Sequence, residues 1–418
     1  RGDVPARVLI VWLLLWCFAL IFSASALVTA WWGLVQLLGL DPLLGSGALF
    51  GWTAATAGLG GFGLAAKSFL TKYFGDVARY VSAAPRNIKV RHEARQRGLK
   101  LLDELAATND YERIVLVGHS LGSVLAHDLV MLAWSEAVRS LSIKAGSPLH
   151  QALRACESAS DQLLDAAGYR KDQPKFLRDD PSKACRYGYQ ADPKRMPAML
   201  QAYRQAQRVL FKALADTPTE VRGRPRKSAW LISDLITLGS PLTHAEFLIA
   251  RNLCDLRMTV SMREALQCPP VMEQHRDKTW LFSYEQTKGS GQWRMSHAAA
   301  MGPVRWTNLH DAAGPLAFWL GDLISGPLGR DFGPGVVDVN VGIARTHGWL
   351  RHLGLARLFT HTLYWKDFLR GIDHKTAPPP HVQALRDALN FLDEDTVEDR
   401  LRPEARGTSS AQPIPVVP

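Results

Sequence analysis

Two long apolar stretches open the chain, before any segment in which apolar and polar positions alternate. Residues 8–40 contain no charged side chain, and after Asp41-Pro42 a second uncharged stretch covers residues 43–66. Each exceeds the roughly 20 residues that a helix needs to cross a bilayer. The second stretch is rich in glycine and alanine, and such small residues favour close packing of helices in lipid. The pattern predicts a transmembrane helical hairpin over residues 1–70.

Two other interpretations of this region compete with the hairpin. A secretory signal peptide would use Ala24-Ser25-Ala26 as its processing site, but the first apolar stretch is too long for one and a second stretch follows it. A buried pair of helices in a soluble protein is the remaining alternative.

Positive charge is concentrated directly after the second apolar stretch. Between residues 67 and 100 there are nine lysines and arginines against Asp76 and Glu93, and the turn between the two stretches carries no lysine or arginine. By the positive-inside rule, both ends of the hairpin and everything after residue 67 lie in the cytoplasm. We therefore expect a multi-pass protein of the cell inner membrane with a cytoplasmic domain.

The formal net charge of +10 fits a domain that lies against an anionic membrane surface. Nucleic acid is the rival explanation, but the chain has no helix-turn-helix, RNP-like or zinc-finger pattern, so we expect no nucleic-acid partner. The five cysteines are odd in number and lack C-x-x-C spacing. That count argues against a disulfide framework or a zinc site and indicates a reducing compartment.

The most informative segment of the chain is Gly118-His119-Ser120-Leu121-Gly122, a G-x-S-x-G. A β-branched apolar run precedes it and apolar residues with helical spacing follow it, which is the context of a nucleophile elbow. The turn strains the backbone of Ser120, so the neighbouring positions must lack bulk, which accounts for Gly118 and Gly122. The following helix directs backbone N–H groups, first that of Leu121, toward developing negative charge. The alternative is a glycine-rich turn in which Ser120 is only an N-cap.

The rest of the chain divides into three parts, the second of which contains an insertion. Residues 71–111 form a basic juxtamembrane segment with a helix, and residues 112–395 form the principal domain. Residues 135–228 are a polar, mostly helical insertion, located where a cap would lie. A final helix is predicted at residues 381–392, and residues 396–418 are a disordered tail. Apolar segments typical of strands follow the insertion at residues 230–238, 304–309 and 336–341.

A nucleophilic serine needs a base, and the base needs a carboxylate to orient it. On an α/β-hydrolase the three follow the chain order serine, acid, histidine. The loop after the last strand holds the candidate bases, of which His361 is favoured: His347, His352, His361 and His374. The acid is expected after the strand at 304–309, where Asp311 and Asp322 are both available.

Several segments of the chain resemble the α/β-hydrolase superfamily, of the serine esterase and lipase type. The chain is similar to bacterial membrane proteins in which a hydrophobic hairpin precedes a G-H-S-L-G elbow. The matching segments lie at residues 114–123, 237–242, 306–309, 322–327 and 361–365. The resemblance implies a doubly wound α/β sheet with a helical insertion.

In lipase-like relatives a strand with W-x-N is followed by D-x-I-x-G-P, whose aspartate is the triad acid, and an H-x-x-Y segment supplies the base. The resemblance thus implies that Ser120, Asp322 and His361 form the triad. Asp311 remains the alternative acid, because the separation of Trp306 and Asp322 is longer than usual. Such folds also place strands before the nucleophile strand, which implies early strands N-terminal to Arg1.

Together these features predict a membrane-anchored serine hydrolase that cleaves acyl esters through an acyl-enzyme. The hairpin favours a lipidic substrate. No metal or organic cofactor is implied. An acyltransferase on the same fold and a catalytically inactive membrane scaffold are the alternatives.

Overall fold

The structure is a computed structural model that divides into two compact units, Arg1–Ser82 and Ala83–Pro418. The described residues are 6–39, 79–80, 84–169, 191–221, 223–311, 322, 324–343, 360–365 and 378–391.

The first unit contains one long apolar helix, α1, at Ala6–Leu37. Leucine, alanine and tryptophan dominate it, and Ala19–Val35 is its continuous apolar stretch. Several of its large side chains are exposed, including Leu20, Leu27 and Trp31. The predicted turn at Asp41-Pro42 and the second predicted span lie outside the described residues.

The second unit begins with helix α2 at Pro85–Thr108. Proline suits its first turn because it has no N–H to leave unpaired, and Asn109 ends the helix in the left-handed conformation, with φ 56°. The guanidinium of Arg95 donates two hydrogen bonds, of 2.9 and 2.6 Å, to the carboxylate of Asp128. This ion pair joins α2 to the helix that follows the first strand.

Four parallel strands form the central sheet. In chain order and in spatial order they are β1 at Ile114–His119, β2 at Ile232–Leu238, β3 at Arg305–His310 and β4 at Val337–Asn340. Every residue of β2 and β3 is buried, as expected for parallel strands covered on both faces. The predicted mixed α/β class and the three predicted later strands are confirmed.

Helix α3 at Leu121–Ser140 follows β1 directly and covers the sheet with Val130 and Trp134, both fully buried. By length and composition α3 could cross a membrane, but half of its apolar window is buried in the fold. Burial of this kind is typical of a core helix. Because α3 continues to Ser140, the predicted start of the insertion at residue 135 falls inside a helix.

The insertion is helical, as predicted. Helices α4 at Pro148–Ala166 and α5 at Met196–Ala215 pack against each other, and a short antiparallel hairpin joins Thr219–Val221 to Arg224–Arg226. The side-chain hydroxyl of Ser147 accepts a hydrogen bond from the backbone N–H of His150 and so caps α4.

Shorter elements complete the second unit. The helical ones are Pro241–His244, Ala245–Leu248, Leu253–Ser261, Gly329–Phe332 and Pro380–Leu389. The small antiparallel sheets contain Ile143–Lys144, Gln292–Met295 and Ser283–Glu285, and Glu273–Gln274 with Trp280–Leu281. The final helix ends at Leu389, three residues before its predicted end at Leu392. Arg113 donates to the carbonyl oxygens of Leu389 and Asn390 and so caps that end.

The cysteines are in two states. Cys17, Cys156 and Cys268 are free thiols, whereas Cys254 is disulfide-bonded. One bonded cysteine is not a disulfide framework, and the reducing compartment stays a prediction.

Candidate active site

The turn between β1 and α3 holds Ser120 at φ 53° and ψ −128°. A residue with a side chain rarely adopts this conformation, and it persists only where surrounding bonds impose it. Here the backbone N–H of Ser120 donates to the carbonyl of Leu238, at 3.0 Å, and its carbonyl accepts from the N–H of Ser123, at 2.9 Å. Ser120 occupies the N-cap position of α3, but its side chain makes no capping hydrogen bond, so a capping role does not account for its hydroxyl.

The two glycines of the motif have different roles. A Cβ atom on Gly118 would lie 2.5 Å from the Cα of Ser123 and 2.6 Å from the carbonyl oxygen of Gly122, so the start of α3 requires glycine there. A Cβ atom on Gly122 would meet no atom within 4 Å. The expectation that Gly122 must lack bulk is therefore wrong, because this position faces open space.

Ser120, His361 and Asp322 form a continuous chain of hydrogen bonds. The Nε2 atom of His361 lies 2.8 Å from the Oγ of Ser120, and its Nδ1 lies 2.9 Å from the Oδ2 of Asp322. His361 and Asp322 are both buried. Since an ionised carboxylate only accepts hydrogen bonds, Nδ1 carries the hydrogen and Nε2 is left to accept the serine proton. The structure thus brings the three predicted residues together.

The carboxylate of Asp322 is held by two further donors. The hydroxyl of Tyr364 donates to Oδ2 at 2.9 Å, and the backbone N–H of Ile324 donates to Oδ1 at 2.9 Å. Burial by itself raises the pKa of Asp322, but the hydrogen bonds and charge of His361, with those of Ile324 and Tyr364, hold that pKa below its usual value. The carboxylate is therefore ionised at neutral pH, as a partner of a protonated imidazole must be.

The alternative acid, Asp311, is buried at the end of β3. Its carbonyl accepts a hydrogen bond from the N–H of Asp322, at 3.0 Å, and its own N–H donates to the hydroxyl of Tyr364, at 3.1 Å. Both aspartates thus lie at the same strand end, and Asp322 is the one whose carboxylate faces Nδ1 of His361. The other candidate bases, His347, His352 and His374, lie outside the described residues.

Polar side chains inside the sheet fix the segment that follows Asp322. The amide of Asn308 donates to the carbonyl of Gly326, at 2.9 Å, and to the carboxylate of Asp338, at 2.7 Å. Asp338 also accepts from the N–H groups of Leu328 and Gly329, both at 2.8 Å. Sequence reasoning missed Asp338, although a charged residue inside the apolar segment 336–341 was a signal for it.

Gly239 is a second residue that sequence reasoning missed. It follows β2 directly and has a φ of +55°. A Cβ atom there would lie 2.8 Å from a ring carbon of Tyr364, 3.1 Å from the Oδ2 of Asp322 and 3.2 Å from the Nδ1 of His361. Only glycine leaves room for the acid and the base to meet at this position.

Leu121 is the first residue of α3 and follows Ser120 directly. The N–H groups of a first helical turn lack intrahelical acceptors and lie at the positive end of the helix dipole. Its N–H group is thus suited to an oxyanion next to Ser120.

A separate cavity of about 480 Å³ is lined by Leu99, Ile114 and Ile232 among others, at the amino ends of β1 and β2. It lies away from the carboxyl ends, where Ser120 and Asp322 are found.

Comparison of the chain with protein-family models, curated proteins and solved structures finds no match. The class of the protein therefore has to be argued from the fold and the site. These define an α/β protein with a strained serine, a histidine and an aspartate in hydrogen-bond contact at the carboxyl end of a parallel sheet.

Proposed function

We propose that this chain is a serine hydrolase of the α/β-hydrolase superfamily that cleaves acyl esters. The observation that carries the proposal is the pair of hydrogen bonds, 2.8 and 2.9 Å, that links Ser120 to His361 and His361 to Asp322. Chain order supports it: the serine follows β1, the aspartate follows β3 and the histidine follows β4, as in that superfamily.

The reaction begins when the Oγ of Ser120 attacks the ester carbonyl carbon while Nε2 of His361 takes the hydroxyl proton. Asp322 stabilises the imidazolium and fixes its tautomer. The N–H of Leu121 stabilises the tetrahedral oxyanion, and a donor of this kind contributes on the order of 10²–10³-fold in rate.

The tetrahedral intermediate then collapses, the ester C–O bond breaks, and the leaving alcohol receives the proton from His361. An acyl group remains on Ser120. Water attacks it with His361 again as the base, which releases the carboxylic acid and restores the serine hydroxyl. No cofactor takes part in these steps.

A lipidic substrate and an integral membrane location extend the proposal. They rest on the exposed apolar side chains of α1 and on the two uncharged stretches of the sequence. The basic cluster after residue 67 favours a cytoplasmic domain in the inner membrane.

Product analysis tests the reaction type. The detergent-purified full chain is given a chromogenic short-chain ester, with and without an added long-chain alcohol, beside its Ser120→Ala variant. We expect the parent to release the free acid, and Ser120→Ala to do so at the uncatalysed rate. A new ester as the main product would identify an acyltransferase, and equal rates for the two proteins would identify an inactive scaffold.

A further inference from the structure

His119 is the last residue of β1 and immediately precedes Ser120. Its Nε2 atom lies 2.6 Å from the carbonyl oxygen of His361. A carbonyl oxygen only accepts, so Nε2 of His119 carries the hydrogen and donates it. This bond connects the strand that bears the serine to the main chain of the residue that bears the imidazole, across 242 positions of sequence.

The ring of His119 also packs over the turn that contains His361. Its centroid lies 5.0 Å from that of His361, 5.8 Å from that of Tyr364 and 6.0 Å from that of Trp365. Burial lowers the pKa of His119 by more than the bond to the His361 carbonyl raises it. His119 is therefore neutral at pH 7 and brings no charge next to the imidazole of His361.

Main-chain and side-chain bonds both act on this turn. The N–H of Leu363 donates to the carbonyl of Thr360, at 2.9 Å, which closes the turn itself. Asp322 holds the imidazole of His361, and Tyr364 bonds to Asp322 and Ser325, so these side-chain bonds orient the ring of His361. The bond from His119 fixes the carbonyl of His361 relative to Ser120, and with it the distance from Nε2 to Oγ.

We propose that His119 is a positioning residue for the base, which sets the main-chain position of His361 relative to the nucleophile. The inference rests on the proposed function of Ser120 and His361. Because a misplacement of about 1 Å can cost on the order of 10²-fold in rate, loss of this single donor should lower kcat by about 10- to 100-fold. It should leave KM nearly unchanged, since His119 acts through His361.

Variants that remove or restore the side-chain donor at position 119 provide the test. His119→Phe keeps a ring without an N–H, His119→Leu is a second variant without a donor, and His119→Gln restores an N–H. The matched control is His127→Phe, which alters a buried histidine that packs 5.8 Å from the rings of Trp306 and Phe332. For each, kcat and KM on the chromogenic ester and the melting temperature are measured, with Ser120→Ala as the reference for zero activity.

We expect His119→Phe and His119→Leu to lose at least tenfold in kcat at parental KM, His119→Gln to recover most of it, and His127→Phe to keep parental kcat. If Ser120→Ala is inactive, either of two results would overturn the inference. One is full kcat in a folded variant without the donor. The other is an equal loss of kcat in His119→Gln and in the variants without the donor. If Ser120→Ala turns over like the parent, the proposed function itself fails, and this inference fails with it.

Discussion

The backbone N–H of Asp322 donates a 3.0 Å hydrogen bond to the carbonyl oxygen of Asp311. This bond holds Asp322 at the end of β3. It explains how Asp322 can occupy the acid position. More residues separate Asp322 from Trp306 than is usual in the superfamily that the chain resembles. A neighbouring aspartate thus supports the acid from its main chain.

The two aspartates should respond differently to removal of their charge. Asp322→Asn places an amide opposite Nδ1 of His361, which disfavours the productive tautomer and removes the charge that stabilises the imidazolium. We expect it to lose about 10⁴-fold in turnover. Asp311→Asn keeps the main-chain bond to Asp322 and should retain more than about a tenth of the activity. Turnover of one soluble ester, with melting temperatures alongside, decides this, and a dead Asp311→Asn beside an active Asp322→Asn would reverse the assignment.

Gly239→Ala should damage activity more than its backbone cost explains. The added Cβ would lie within 3.2 Å of Tyr364, Asp322 and His361, so the acid and base must move apart. Gly146→Ala is the matched control: its φ is +77° and a Cβ there meets no atom within 4 Å. Both variants carry the same backbone strain, of about 1 kcal/mol. We expect at least a tenfold lower kcat for Gly239→Ala only, and parental kcat in that variant would contradict the packing described here.

The features that could be predicted from the sequence are those whose deciding contacts lie within one segment of the chain. The strand, the glycine-bounded serine and the helix are contiguous, so the elbow at Ser120 was predictable from one segment. The strand at β2 and its neighbours were predictable because buried parallel strands are continuous apolar runs. His361 was favoured by its place in the loop after the last strand and implied again by the resemblance, and its contact with Asp322 in the structure agrees with that choice.

The contacts that sequence reasoning missed join distant segments. Asn308 and Asp338 meet because they are register partners on β3 and β4, and a register between parallel strands has no signature in either strand alone. His119 and His361 also come from distant segments, and neither segment alone indicates their contact. Gly239 was readable as a turn residue, but its reason, the approach of Tyr364 and the acid–base pair, exists only in three dimensions.

Asp331 makes stability depend on pH. Burial raises its pKa from 3.8 to about 6, although the Nε of Arg330, on a side chain 59% exposed, lies 3.5 Å from Oδ1. A raised folded pKa means that this group contributes stability below about pH 4, and that the contribution is lost as the pH rises through about 6. The shift of about two pKa units corresponds to at most about 3 kcal/mol.

Asp331→Asn removes this titration and should therefore stabilise the protein about twice as much at pH 8 as at pH 5, and hardly at all below pH 4. The comparison is between variant and parent at each pH, so that carboxylates with lowered pKa values, such as Asp234, cancel. Melting temperatures at pH 5 and pH 8 provide the measurement. An equal difference at both pH values would show that Asp331 does not titrate in this range.

Membrane topology can be tested independently of catalysis. The basic cluster between residues 67 and 100 predicts that a reporter fused after residue 67 is cytoplasmic and that one placed at Asp41 is exported. Alkaline phosphatase and green fluorescent protein fusions distinguish the two sides. The reverse pattern would place the domain outside and contradict the predicted cytoplasmic location.

The central claim is that Ser120 is a nucleophile activated by His361. A fluorophosphonate probe reacts covalently with such a serine, so labelling of the detergent-purified full chain measures it directly. We predict that the parent is labelled, that Ser120→Ala is not, and that Ser123→Ala, which alters the neighbouring serine on α3, is still labelled. Equal circular dichroism spectra and melting temperatures would show that the variants are folded. Labelling of Ser120→Ala at the parental rate, or no labelling of the folded parent, would contradict the account.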